Sequence, residues 1–251
     1  MFANKVVLLT GGSSGIGAAT IELFAKEGAS VALVGRNDAK LKEVAERCYK
    51  HGAKTMVIKA DISKDREANI VVEQTINAFG QLDVLVNNAG IARYTEVLEH
   101  DLLQNYDEVM NTNIRPVIII TSKAIPYLIK TKGSIINVSS VLSTWSKIPG
   151  TISYCMSKAA MDAFTRGAAA ELASSGVRVN SVNPGPVITD IMENSNAPPD
   201  MGIDNIVEKM TALGRACDAE EIGNLILHLA SDKAKGVTGS CYVNDNGLLL
   251  M

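Results

Sequence analysis

Seven short apolar runs, separated by longer amphipathic stretches, constrain this chain more than any other feature. They are Val6-Val7-Leu8-Leu9, Val31-Ala32-Leu33-Val34, Thr55-Met56-Val57-Ile58, Val84-Leu85-Val86, Ile135-Ile136-Asn137-Val138, Val177 to Val182, and a last one near Cys241-Tyr242-Val243. Runs that are apolar on both faces suit strands of a parallel sheet covered by helices on each side. Helices are expected between them at Gly17–Glu27, Ala39–His51, Arg66–Phe79, within Leu102–Lys130, and at Ser153–Ser174 and Ala219–Ala230. Strand and helix in alternation, with short connections, indicate βαβ units with right-handed crossovers. No repeat or linker divides the chain. The irregular stretch Glu193 to Asn205, with Pro198-Pro199, predicts a surface excursion. One α/β domain over residues 1–251 is expected.

The first run leads directly into Thr10-Gly11-Gly12-Ser13-Ser14-Gly15-Ile16-Gly17 and then a helix. Glycines let the backbone turn tightly and approach a pyrophosphate, and the helix N-terminus offers free N–H groups and a favourable dipole. Such a string after the first strand of a βα alternation predicts a dinucleotide site. The second run ends in Gly35-Arg36-Asn37, with no acid where an NAD-preferring site places a carboxylate for the ribose 2′-hydroxyl. Arg36 offers a donor fork suited to a 2′-phosphate, so NADP(H) is the expected cofactor. Asp38 is expected to cap the following helix.

The other chemical end is Ser139-Ser140 followed by Tyr154-Cys155-Met156-Ser157-Lys158. Tyr154 and Lys158, four apart on a helix, share one face. A tyrosine ordinarily titrates near 10, and a neighbouring ammonium with an oxidised nicotinamide is expected to lower that value. Tyr154 then gives a proton to a carbonyl oxygen or takes one from an alcohol, with a serine hydroxyl orienting the substrate oxygen.

On Thr10 to Gly17, Asn87-Asn88-Ala89-Gly90, Asn113, Ser140, Tyr154 with Lys158, and Pro184-Gly185, the chain resembles the short-chain dehydrogenase/reductase family over nearly its whole length. The resemblance is to NADP-preferring members of the 3-oxoacyl-acyl-carrier-protein-reductase-like or carbonyl-reductase-like kind. It implies a single-domain, doubly wound Rossmann fold with a seven-stranded parallel sheet, assembled as a homotetramer or dimer. It implies Tyr154 as general acid/base, Ser140 as donor to the substrate oxygen, Lys158 on the tyrosine and the nicotinamide ribose, and Asn113 holding a relay water. The family's cofactor contacts fall on Gly11, Ser13, Ser14, Gly15, Ile16 and Gly17, on Arg36 and Asn37, and on Asp61 and Ile62 at the adenine. Further contacts fall on Asn88, Ala89 and Gly90, and on Pro184, Gly185, Val187 and Thr189 at the nicotinamide end. Three departures from the family pattern are the fourteen positions from Ser140 to Tyr154, Asp245-Asn246-Gly247 in place of Asp-Gly-Gly, and a Gly-rich loop without the basic residue that some NADP-preferring members carry, which leaves Arg36 as the main phosphate ligand.

The family builds a lid at about 190–212, and here that stretch carries Met192, Met201, Ile203 and Met210. With Leu142 and Trp145, and with Arg93 and Tyr94 opposite, it predicts a pocket for a lipophilic carbonyl or alcohol, steroid-, retinoid- or isoprenoid-like. A 3-oxoacyl thioester reductase is the alternative enzyme. A non-catalytic dinucleotide-binding sensor or scaffold is the alternative from another class, and the complete set Asn113, Ser140, Tyr154 and Lys158 favours the enzyme.

A net charge of -3 gives no footprint for nucleic acid. No apolar run reaches the roughly 18–20 residues of a membrane span. Four cysteines without CxxC spacing predict free thiols in a reducing compartment, and the cytoplasm is expected. Three histidines without ligand spacing predict no metal site.

Overall fold

Every apolar run forms a strand: β1 (Val6–Thr10), β2 (Ser30–Gly35), β3 (Thr55–Lys59), β4 (Val84–Asn87), β5 (Ser134–Val138), β6 (Arg178–Pro184) and β7 (Cys241–Asn244). The structure, a computed structural model, describes residues 1–191, 195, 196, 207 and 210–251. The strands pair in parallel in the order β3-β2-β1-β4-β5-β6-β7. Winding reverses between β1 and β4, and a doubly wound sheet opens its ligand crevice beyond the strand C-termini at that point.

Among the described residues the helices are α1 (Gly15–Lys26), α2 (Asp38–Lys50), α3 (Asp65–Ala68), α4 (Val71–Phe79), α5 (Leu102–Asn113), α6 (Arg115–Thr131), α7 (Ile152–Leu172) and α8 (Ala219–Ala230). Two expected helices are thus each divided. Between α5 and α6 the break falls at Ile114 (φ -118°), just ahead of Pro116. Proline has no N–H to continue the α5 ladder but is well placed in the first turn of a new helix.

Successive residues of β1 point to opposite faces, as the two-residue strand period requires. Val7 and Leu9 pack with Ile21, Phe24 and Ile226 of α1 and α8, while Val6 and Leu8 pack with Ile120, Leu128 and Leu172 of α6 and α7. At the N-terminal edge of the sheet buried Asp83 ties three strands together through its side chain and main chain. Asp83 accepts from the Val6 N–H (2.9 Å), Lys5 Nζ (2.9 Å) and Gln81 Nε2 (2.7 Å), and its carbonyl accepts from the Ser134 N–H (2.9 Å). Among the described residues no helix is long and apolar enough to cross a membrane.

Candidate active site

The turn after β1 is shaped by approaches that a side chain would block. Gly11 lies at φ +72°, and a Cβ there would come within 2.8 Å of Ala89 Cα and Asn88 Nδ2. At Gly17 a Cβ would strike the Gly11 carbonyl oxygen. Asn88 binds across the turn, donating to the carbonyls of Thr10 (3.0 Å) and Gly11 (3.1 Å). Thr10 Oγ1 in return accepts the N–H groups of Asn88 and Ala89 at 3.1 Å each. The start of α1 carries no side-chain cap and no acid in its first turn. Its free donors and dipole are therefore open to an anion.

A cavity of about 430 Å³ runs from this turn along the strand ends. Every residue predicted to contact a cofactor lines it: Gly11, Ser13 to Gly17, Arg36, Asn37, Asp61, Ile62, Asn88 to Gly90, Tyr154, Lys158, Pro184, Gly185, Val187 and Thr189. Arg36 is exposed at its rim. Partial burial works to raise the neighbouring Asp61, but Ser63 hydrogen bonds and the charges of Lys64 and Arg36 hold that carboxyl below its ordinary value. The cap of α2 is Asn37, which accepts the Lys40 N–H (3.1 Å), and not Asp38 as expected. The helix starts one residue earlier, so Asp38 enters the first turn and pairs with Lys42 (2.7 Å). Lys40 also lines the cavity and pairs with Asp190 at 3.1 Å.

At the opposite end α7 presents Tyr154 and Lys158. Lys158 Nζ is buried, donates to the Val138 carbonyl (2.7 Å) and stands 5.4 Å from the centroid of the Tyr154 ring. Ser139 donates to the Lys158 carbonyl (3.1 Å). Ser140 accepts the Leu142 N–H (3.1 Å). Asn113 is fully buried behind Gly90: its Oδ1 accepts the Ile91 N–H (2.8 Å), and its Nδ2 donates to the Ile91 carbonyl (2.9 Å) and Ser157 Oγ (3.0 Å). A second, mainly apolar cavity of about 160 Å³ meets the first at Ser140, Tyr154, Gly185 and Val187. Leu142, Trp145, Ile148, Val207 and Leu248 supply its walls, with Arg93 and Tyr94 also lining it.

The family model described as enoyl-(acyl carrier protein) reductase matches residues 11–249. The 3-oxoacyl-acyl-carrier-protein reductase FabG of Thermotoga maritima is 36% identical, over 98% of this chain and 98% of its own. The 2,5-dichloro-2,5-cyclohexadiene-1,4-diol dehydrogenase LinX of Sphingobium indicum is 35% identical, over 98% of this chain and 96% of its own. A solved short chain dehydrogenase from Burkholderia cenocepacia, in complex with NADP, is 30% identical and covers 99% of both chains with a TM-score of 0.91. The chain belongs to the short-chain dehydrogenase/reductase family.

In this short-chain dehydrogenase/reductase the surroundings set the two titrations. Burial pushes the Tyr154 phenol up to about 12, against the pull of the Ser140 hydroxyl. Burial pushes Lys158 down to about 8, against the charge of Asp162. The expected lowering of the tyrosine by its lysine is thus reversed in the protein alone, because desolvation disfavours the charged form of each. Leu142 and Trp145 line the apolar cavity, whereas Met192 and most of the 190–212 stretch are outside the described residues. Sequence reasoning missed Ile148, Val207 and Leu248, which belong to no motif. It also missed Lys40, although a basic residue four positions beyond Arg36 was a readable signal.

Proposed function

We propose that this protein is an NADP(H)-dependent oxidoreductase that moves a hydride between the nicotinamide and a carbonyl or secondary alcohol bearing a compact apolar group. One observation carries the reading: a polar, nucleotide-sized cavity and an apolar one meet at Tyr154 and Ser140, with buried Lys158 one helical turn away.

The cofactor reading is supported by the uncapped, acid-free start of α1, by the acid-free tip of β2, and by the NADP bound in the Burkholderia relative. The α1 N-terminus receives the pyrophosphate, and Arg36 with Lys40 receives the 2′-phosphate. Asp61 and Ile62 flank the adenine, Asn88 to Gly90 the middle of the cofactor, and Pro184 to Thr189 its nicotinamide end. When bound, the nicotinamide supplies or accepts the hydride. Ser140 donates a hydrogen bond to the substrate oxygen, and Tyr154 gives that oxygen a proton in reduction or takes one in oxidation. A phenol at about 12 is protonated at neutral pH, which suits reduction. Asn113 pins the Ile91 backbone beside Lys158 and is the group to hold a relay water.

The apolar cavity, at about 160 Å³, is smaller than the ~300–1,000 Å³ of drug-sized sites. It fits a compact apolar group, or one end of a steroid-, retinoid- or isoprenoid-like carbonyl. The name of the Thermotoga relative favours a second reading, a 3-oxoacyl thioester reductase whose short acyl chain fills the same cavity. Exposed Leu103, Ile118, Ile152 and Met156 support assembly as a homo-oligomer, and four free cysteines support a reducing, cytoplasmic location.

The test is turnover with NADPH and NADH across ketones of rising bulk and 3-oxoacyl thioesters, in wild type and Tyr154→Phe. Ketone reduction with NADPH that collapses in the variant supports the first reading, and thioesters exceeding all ketones support the second. Tight NADPH binding without any turnover points to a sensor or scaffold.

A further inference from the structure

One turn beyond Lys158 on the same face of α7 stands Asp162. It is 4% exposed and makes no ion pair among the described residues. A buried carboxylate is costly unless hydrogen bonds or charges compensate it. Here Asp162 Oδ2 accepts from Asn183 Nδ2 (2.9 Å), and Ser181 Oγ lies 3.3 Å from Oδ1. Asn183 Oδ1 accepts from Ser181 Oγ (2.8 Å). The same Asn183 Nδ2 reaches Ser143 Oγ (3.1 Å) and the carbonyl oxygen of Ser140 (3.2 Å). One side chain therefore links the buried carboxylate to the main chain of Ser140, a residue that lines both cavities.

A second link is electrostatic. Lys158 is as deeply buried, and the Asp162 charge opposes the burial that lowers its pKa. The elements packed around this pair offer uncharged groups: Asn113 from α5, Ser181 and Asn183 from β6, and Ser143 from the turn at Val141–Ser143. The acids of α5, Asp107 and Glu108, and Arg166 of α7 are exposed. Tyr154 and Cys155 are the other titratable groups at this end of α7.

We propose that Asp162 is a positioning residue: its carboxylate fixes the Ser140 main chain through Asn183 and stands as a counter-charge one helical turn from the buried Lys158 ammonium. What this serves rests on the hydride-transfer reading, but its measurement does not.

The experiment is an NMR titration of Lys158 in protein carrying ¹³Cε-labelled lysine, with the signal assigned by Lys158→Arg. Wild type, Asp162→Asn and Asn183→Ala are compared. In Asp162→Asn the Lys158 midpoint falls by roughly one pH unit or more, and in Asn183→Ala it stays near the wild-type value. Both variants lose kcat on the order of tenfold, because a displaced Ser140 misorients the substrate oxygen. Only Asp162→Asn moves the alkaline limb of the kcat–pH profile downward. An unmoved Lys158 midpoint in Asp162→Asn, or wild-type kcat in Asn183→Ala, overturns the proposal. Asp162→Ser replaces Asp162→Asn should the latter not fold. Failure of the hydride-transfer reading has a different signature, in which wild type turns over nothing while the Lys158 midpoint still shifts.

Discussion

The polar cavity is walled by backbone at the ends of β1, β2 and β4, whereas the apolar cavity is walled by the tips of side chains. At Gly11 and Gly17 the polar wall has no room for a methyl group, and Asn88 binds its turn directly. Leu142, Trp145 and Ile148 come to the apolar wall from the stretch after β5, and Val207 and Leu248 come from distant parts of the chain. The main chain thus shapes the polar cavity, while apolar side chains shape the other. Tyr154 belongs to both walls.

That contrast can be broken experimentally. Tyr154→Phe carries the largest expected effect, a loss of kcat of about 10²–10⁴ with NADPH affinity nearly unchanged. A proportional loss of NADPH affinity would assign the tyrosine to the polar cavity alone. Gly17→Ala should weaken NADPH about 100-fold and cost ~1–3 kcal/mol of stability, read by fluorescence titration and thermal melting. A wild-type melt would mean that the turn yields more readily than its contacts indicate. Arg36→Asp should raise the NADPH Kd about 10–100-fold while NADH changes little, the range of a lost charge-assisted hydrogen bond. Leu248→Ala sharpens the comparison from the other side. It should shift kcat/KM toward bulkier ketones by about tenfold and leave NADPH binding intact. Smallest is the pH effect. Lys158 titrates at about 8 and is charged below that value, so reduction holds steady on the acid side and declines as pH rises through it. The drop between pH 7 and pH 8.5 should be roughly fourfold in kcat.

The strands were legible because runs such as Val31–Val34 are apolar on both faces, which only a covered parallel sheet accommodates. The polar cavity was legible for a related reason, since a tight approach such as Gly17 on Gly11 admits only glycine at a fixed position. Leu248 and Val207 were not legible: an apolar side chain lining a cavity is chemically the same as one lining the core, and only three-dimensional placement separates them. The direction of the Tyr154 shift was lost because spacing reveals a lysine one turn away but not how much water both groups give up. Asn37 and Asp38 are both good helix caps, and the choice depended on a one-residue difference in where α2 begins.

The Asp83 clasp sits at the far edge of the sheet from Tyr154, and a five-residue strand such as β1 separates the two edges by about 16 Å. Robustness and chemistry are thus adjusted at separate addresses. An engineer seeking a hardier catalyst can tighten the strand starts around Lys5, Gln81 and Ser134 without reshaping either cavity. One seeking a new substrate can work at Leu142 or Leu248 with the clasp holding the sheet in reserve.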